Sequence, residues 1–463
     1  MKDKTSINKD LSNKACINKA DIVVLGGGPA GGAAALGLKA LGYEVTVIAE
    51  PRPFKAVEGI SERVLEGLRN AGFKLALANL PDPSPRVASW NGATNSANTE
   101  MLINRSELDK GICKDLQAAG VTVINGRVAK VSEEVRGFSI LLKESDADSL
   151  KADFLVEARG RSAPGGGLER LRGSETVSLL QYWKGKPCKP QSAAESFEDG
   201  WAWMAAWSDG TRYLQLTFDV ASANLPDKAG LIDHCNGILE TLSSAQPFLE
   251  NAQPTGIIHA RTSTPILCRE AVGDNWIRVG DAAMAVDPLS GNGIFQALSS
   301  ALQAPAVINT LLQRSESAGL AKQFYQQRVD HLFHRFARIG RDFYASEERW
   351  WDNPFWATRR NWPDSEPLHQ ETDPDSLKVV KMPVVNNGLI EEHEVVITND
   401  QPLGIWHLNG IPMAPVVRVL QQKELETSPQ SCLQTQLGMS PENAVGLTRW
   451  LYQNGWLRAE NKN

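Results

Sequence analysis

The chain has 463 residues, more than one ordinary hydrophobic core supports, so two domains or one large domain with an appendage are expected. Its 54 Asp and Glu against 48 Lys and Arg give a net charge of −6 with no concentrated basic face, which argues against nucleic acid or an anionic membrane surface as partner. Six cysteines, Cys16, Cys113, Cys188, Cys235, Cys268 and Cys432, lie far apart without a CxxC pair, the pattern of reduced core thiols in a cytosol.

Residues 1–20 are polar and lack the apolar run of a signal peptide, and no later run approaches the about 20 apolar residues of a membrane span. A cytoplasmic protein with a disordered or extended N-terminal tail and no membrane contact is expected. The stretch DIVVLGGGPAGGAAA then predicts strand Ile22 to Leu25, a glycine turn and helix Gly31 to Leu41, followed by strand Glu44 to Ala49, a βαβ opening. Leu80 to Ala97, rich in Pro and Asn, reads as a loop, and MLINRSELDKGICKDLQAAGVTVING as strand, helix and strand. From Gly173 to Arg261 the period changes to two, with WAWMAAW and RYLQLTF joined across Ser208 to Thr211 as a hairpin. Strand Trp276 to Val279 and helices Gly293 to Leu312 and Leu320 to Ser346 follow, then a linker in PDSEPLHQETDPDS. The expected organisation is a discontinuous nucleotide domain, 21–172 and 262–362, with an inserted antiparallel sheet domain, 173–261, and a small C-terminal domain, 363–463.

Gly26, Gly28 and Gly31 satisfy GxGxxG, whose missing side chains permit a tight turn, close approach of a pyrophosphate and close helix packing. Pro29 and Ala30 open the helix whose amides would face the phosphates, and Glu50 ends the second strand where a ribose-binding acid belongs. These features do not separate NAD from FAD. The later segment RVGDAAMAVDPLSGNGIFQAL does: Gly280 and Asp281 end a strand, and Asp287, Pro288, Leu289, Ser290, Gly291, Asn292 and Gly293 lead into a helix. An acid there can bind ribityl hydroxyls, and a glycine-rich helix start can hold a flavin's electron-rich edge.

This order of motifs resembles the class A flavoprotein monooxygenases of the para-hydroxybenzoate hydroxylase type. The resemblance implies non-covalent FAD held by Gly26, Gly28, Pro29, Ala30, Gly31, Glu50, Arg105, Val128, Gly280, Asp281, Pro288, Gly291, Asn292 and Gly293. Arg105 in LINRSELDK looks like the arginine that members place over FAD, and Pro288, Leu289 and Ser290 are the flavin-adjacent catalytic candidates. It also implies O2 as co-substrate through a flavin C4a-hydroperoxide that transfers oxygen to an electron-rich ring. VEARGRSAP sits where members carry a third motif but departs from it, and no second GxGxxG exists, so NAD(P)H reduces the flavin directly or through a separate reductase. No metal is expected, since His331 and His334, at helical spacing, have no third ligand.

GWAWMAAW resembles the GWxWxIP signature of tryptophan halogenases at Gly200, Trp201 and Trp203, the last two being substrate-lining candidates, but Ala205 and Ala206 replace Ile-Pro. PSPRVASWNG offers Arg86 where a halogenase would need a relay lysine. VEGISERVLEGLRNAG, SWNG, GDAAMAVDPLSGNGI and PFWATRR are more similar to flavin monooxygenases that mature tryptophylquinone cofactors. That resemblance implies hydroxylation of a tryptophan in a small partner protein. A halogenase, a small-molecule aromatic hydroxylase and a geranylgeranyl reductase-like flavoprotein are the alternatives. MSPENAVGLTRWLYQNGWLRAE reads as a capped helix, with Ala444, Leu447 and Leu451 on one face, a turn at Asn454 and Gly455 and a short strand, a winged-helix-like ending. Its one base-reading cation, Arg449, makes protein docking the better reading than DNA.

Overall fold

A computed structural model describes residues 20–52, 54–143, 149–421 and 428–458; Cys16 and the N-terminal tail lie outside the described residues. Asp21–Leu25 is buried along its length after the first residue, as a strand covered on both faces must be. It sits at the centre of a five-stranded parallel sheet in the order Trp276–Arg278, Phe154–Glu157, Asp21–Leu25, Glu44–Ala49, Thr122–Asn125. Numbered along the chain this order is 5-4-1-2-3. The direction of winding therefore reverses between Asp21–Leu25 and Phe154–Glu157, which opens a crevice at their carboxyl ends. Pro29–Ala40, Arg105–Ala118 and Gly293–Ala301 pack together over one face of this sheet.

The second layer is an eight-stranded sheet in the order Ala252–Thr262, Thr176–Gly185, Thr211–Asp219, Gly200–Ala206, Gln191–Phe197, Ser84–Trp90, Ala93–Asn104, Val57–Ile60. The expected hairpin is present, paired from Gly200 opposite Phe218 to Ala206 opposite Arg212. The segment read as a loop, Leu80 to Ala97, instead holds strand Ser84–Trp90 and the start of Ala93–Asn104, so the sheet draws on chain well outside 173–261. Residues 93–99 are exposed and, apart from Ala93 and Ala97, polar, which erases the apolar period of two; the remaining signal was Asn91-Gly92, whose φ values of 49° and 74° suit a tight hairpin turn. Alternation sends Ala202, Met204, Leu214 and Leu216 against helices Leu231–Thr241 and Gln246–Leu249, and Trp201 and Trp203 to the opposite face.

Gly293 to Leu312, expected as one helix, is two, Gly293–Ala301 and Ala304–Gln313, because Pro305 supplies no N–H to continue the first. Ala318–Ala345 then runs 28 residues and buries Phe324, Tyr325, Phe333, Phe336, Gly340 and Tyr344. Beyond the irregular stretch after Trp362, hairpin Lys378–Asn386 with Leu389–Ile397 precedes helices Met413–Leu420, Pro429–Leu437 and Pro441–Gln453. Ser440 caps the last helix by accepting from Asn443 N at 3.3 Å, and Ala444, Leu447 and Leu451 are buried. The short strand expected after Gly455 is not found among the described residues. Trp456 instead folds back into the module's core against Trp450.

Candidate flavin site

The glycine turn sits at the crevice. Gly26 has φ of 117°, and a Cβ there would stand 2.3 Å from the Ala158 carbonyl; one on Gly31 would stand 1.9 Å from Gly26 O. These two glycines are required by packing. Among the described residues a Cβ on Gly28 would meet nothing within 4 Å and no side chain caps the amides at the head of helix Pro29–Ala40, so the backbone there borders open space. Glu50 lies at the end of its strand, 3.6 Å from Arg127 Nε. Val128 begins strand Val128–Glu133 and is half-buried against Val23, Leu25 and Ile48.

Asn104 caps helix Arg105–Ala118, accepting from Ser106 N at 2.9 Å, which fixes Arg105 at its first position. Arg105 is 7% exposed and donates from Nη1 to both Glu58 oxygens, at 2.7 and 2.8 Å. Asp109 stands 3.5 Å from its Nη2 and accepts from Arg52 Nε at 2.5 Å. Burial works to raise the Glu58 carboxyl, but the charges of Arg105 and Arg52 outweigh it and hold it below the ordinary value. Arg105 Nε is buried without a partner among the described residues, a donor left over for a ligand.

A Cβ on Gly280 would stand 2.7 Å from Ala30 Cβ, so its absence lets the Gly280-Asp281 turn close on the head of the first helix. Burial pushes the Asp281 carboxyl up, against the pull of Arg161, whose Nε is 3.5 Å away. Arg161 also donates to Val286 O at 2.6 Å and to Thr264 O, while Arg159 closes on the buried Glu157. The divergent third motif is thus built into the wall of the crevice.

Pro288 and Leu289 are half-buried in the turn that follows; the side chain of Ser290 lies outside the described residues. Gly291 has φ of 63°, and open space adjoins both Gly291 and Gly293, with Asn292 between them at the head of helix Gly293–Ala301. Buried Asp287 shapes this turn by accepting from Leu289 N at 2.9 Å and from the Tyr344 hydroxyl at 3.0 Å. Trp201 Nε1 donates to that hydroxyl at 3.3 Å, so the second sheet is tied to the loop. Trp201 is core, packed with Tyr344, Phe355 and Trp356, and Leu289 lies against them. Trp203 is half-buried and donates from Nε1 to the buried Glu100 at 3.2 Å; Arg86 Nη1 is 3.6 Å from the same carboxylate. Sequence reasoning missed Tyr344, Glu100 and Glu58, although Tyr344 shares the apolar spacing of Phe336 and Gly340.

Residues 84–374, more than half of the chain, match the family described as tryptophan halogenase. The chain belongs to the tryptophan halogenase family. It is thereby an FAD-dependent oxidoreductase. It is 25% identical over 376 residues to the tryptophan 2-halogenase of Chondromyces crocatus, covering 73% of this chain and 70% of that one. It is 23% identical over 363 residues to the putative FAD-dependent oxidoreductase LodB of Marinomonas mediterranea, covering 73% and 96%. Among solved structures, the peptidyl tryptophan dihydroxylase QhpG, essential for tryptophylquinone cofactor biogenesis, superposes with a TM-score of 0.83 and 51% identity, over 95% of this chain and all (100%) of that one. Among the described residues no helix is long and apolar enough to cross a membrane.

Proposed function

We propose that this chain is an FAD-dependent monooxygenase that hydroxylates a tryptophan ring held in a small partner protein, in the biogenesis of a tryptophylquinone cofactor. The observation that carries this reading is the 51% identity, over 95% of the chain, to a peptidyl tryptophan dihydroxylase. The crevice supports FAD through its chemistry. Open backbone at Gly28 suits the diphosphate, the unpartnered Arg105 Nε and Asp281 suit polar groups of the ribityl side, and open backbone at Gly291 and Gly293 suits the ring edge. Pro29, Ala30, Glu50, Val128, Gly26, Gly31, Gly280, Pro288 and Asn292 complete the proposed set. A parallel sheet joined to a large mixed sheet supports the para-hydroxybenzoate hydroxylase-type fold, and the hairpin with three helices supports a winged-helix-like module.

Bound flavin, reduced by NAD(P)H directly or through a reductase, supplies activated oxygen from O2. The chain's own part is positional. The turn held by Asp287 would receive the edge of the ring, and the buried aromatic cluster of Trp201, Tyr344, Phe355 and Trp356, against which Leu289 packs, would back that turn and keep it dry. Trp203, on the same sheet face and half-buried, is the substrate-lining candidate that remains. The domain spans 21–172 with 262–362, 173–261 and 363–463 serve as working units, the last for docking the partner.

The test supplies the reduced, FAD-loaded chain with O2 and either the tryptophan-bearing partner protein or free tryptophan, and follows oxygen incorporation by mass. Oxygen gained on the partner's tryptophan is the expected result. Efficient hydroxylation of free tryptophan, with none on the partner, would overturn the substrate; NAD found in place of FAD would overturn the cofactor.

A further inference from the structure

Where the C-terminal module meets the main body, the end of strand Lys378–Asn386 and the chain from Gly404 to His407 face helix Ala318–Ala345 and Gln303 across a groove of about 430 Å³. One wall is aromatic. Trp406 lies against His407 and His393, with ring centroids 4.0 and 4.7 Å apart. Phe324, Val385 and Ile405 make the floor apolar.

Two polar atoms in this lining are incomplete. Arg328 Nη1 and Gln303 Oε1 are buried without hydrogen-bond partners among the described residues. The Arg328 guanidinium stacks 3.8 Å over the Phe324 ring, and no ion pair joins it to a carboxylate among the described residues. Burial alone draws it down to about 10, so it stays cationic at neutral pH. Burial first, and then the charges of Arg335, Arg338 and Arg328 on the same helix, hold the His331 imidazole below its ordinary value, while Asp400 opposes them. Arg338 is bonded to Asp364 at 2.9 Å, whereas Arg328 is left with its charge uncompensated. A partly buried cation without an anion is costly, and the groove beside it is open.

Gln303 Nε2 already donates to Ser299 O at 2.9 Å, so its oxygen is the free acceptor and calls for a donor on the ligand. The site therefore offers a cation, an acceptor and an aromatic wall. We propose that this groove binds a carboxylate carried beside an amide N–H and an apolar or aromatic side chain: Arg328 takes the carboxylate, Gln303 Oε1 the N–H, and Trp406 with His407 the side chain. Two ligands share that chemistry, a free N-acylated aromatic amino acid and the C-terminal residue of a polypeptide. The groove stands apart from the flavin residues, so the inference does not rest on the proposed hydroxylation.

The test is calorimetric titration of the FAD-loaded full chain with N-acetylphenylalanine, with its uncharged amide, and with an acetylated tetrapeptide ending in a free phenylalanine carboxylate. The acids should bind at least about tenfold more tightly than the amide, and added salt should weaken them. Arg328→Met keeps an apolar stem, removes the guanidinium that stacks on Phe324, and should lose about tenfold or more, while Arg328→Lys recovers part of it. Trp406→Ala, at the groove's rim, is the second variant should Arg328→Met fail to fold, and should also weaken the acids. Tighter binding of the tetrapeptide identifies a polypeptide C-terminus as ligand; equal binding identifies the free acid. Equal affinity for acid and amide, absence of binding by all three probes, or unchanged affinity in folded Arg328→Met overturns the site. FAD content and reduction of the bound flavin should be unaltered in these variants, which separates this result from that of the proposed reaction.

Discussion

Asp287 holds the turn at Pro288 and Leu289 by accepting from Leu289 N and the Tyr344 hydroxyl, and burial pushes its carboxyl above the ordinary value against the hydrogen bonds it accepts. Because the folded form binds its proton more tightly than the unfolded form, the group's contribution to stability is greatest in acid and declines as pH rises through that interval. Asp287→Asn keeps an oxygen for Leu289 N and Tyr344 OH and removes the buried charge. Its melting temperature should fall less with rising pH than that of the parent, because the titrating group is gone. Asp287→Ala leaves both donors without a partner and should cost about 1–3 kcal/mol. Melting scans between about pH 4 and 8 check this, and an Asn variant as unstable as the Ala variant would count against it. Arg86 belongs to the same scale. It lies 3.6 Å from Glu100, and no lysine replaces it in that segment, so chloride or bromide with reduced flavin should give no halogenated indole. Chromatography detecting such a product would refute the reading.

At the scale of elements, the unforeseen hairpin Ser84–Trp90 with Ala93–Asn104 explains what the SWNG stretch does. Its turn docks on the end of the long helix: Trp90 Nε1 donates to Phe343 O at 3.1 Å, and Asn91 N to Glu347 Oε2 at 2.8 Å. Glu347 is fully buried and also accepts from Ser196 Oγ at 2.6 Å and Arg349 Nε at 2.9 Å. Glu347→Ala should remove the acceptor for all three and cost about 1–3 kcal/mol, loosening the hairpin so that amide exchange at Asn91 quickens. Exchange unchanged at the turn would show that the docking is held elsewhere. The glycine crevice was legible in sequence because Gly26, Gly28 and Gly31 act within one turn. The Gly200 to Phe218 pairing was legible because alternation is local. Glu347, Tyr344 and Glu100 were not, since their partners lie far along the chain, Asn91 being 256 positions from Glu347, and nothing in the neighbouring residues marks such a bond. Polarity hid the strand residues between 84 and 97 for the opposite reason: their exposed half carries no buried face to pattern.

For the whole molecule, the expected appendage is joined to the flavin-binding body by more than a linker. Ile390, on the second strand of its hairpin, is 1% exposed and packs in the same core cluster as Ile22, Leu38 and Val307. Its N–H donates to Thr310 Oγ1 at 2.8 Å, Asn309 Nδ2 donates to Gly388 O at 2.7 Å, and Arg314 pairs with Glu391 at 2.7 Å. Tyr43 extends the contact by donating to Asn309 Oδ1 at 2.7 Å, next to the βαβ opening. A module so seated should unfold together with the body, so heating should give one transition in which FAD release and loss of the C-terminal helices coincide. Ile390→Ala should cost about 2–5 kcal/mol and shift that single transition as a unit. Deleting 363–463 would strip cover from the body's core, so partner docking is better tested by changing exposed module residues such as Val445 and Tyr452, which are 39% and 37% exposed. If the module receives the partner, Val445→Glu with Tyr452→Glu should weaken capture of the partner while the melting temperature and FAD content hold. Calorimetry together with flavin fluorescence checks both parts. Two separate transitions would show that Ile390 joins no common core, and undiminished capture by the folded double variant would move the docking surface off this face.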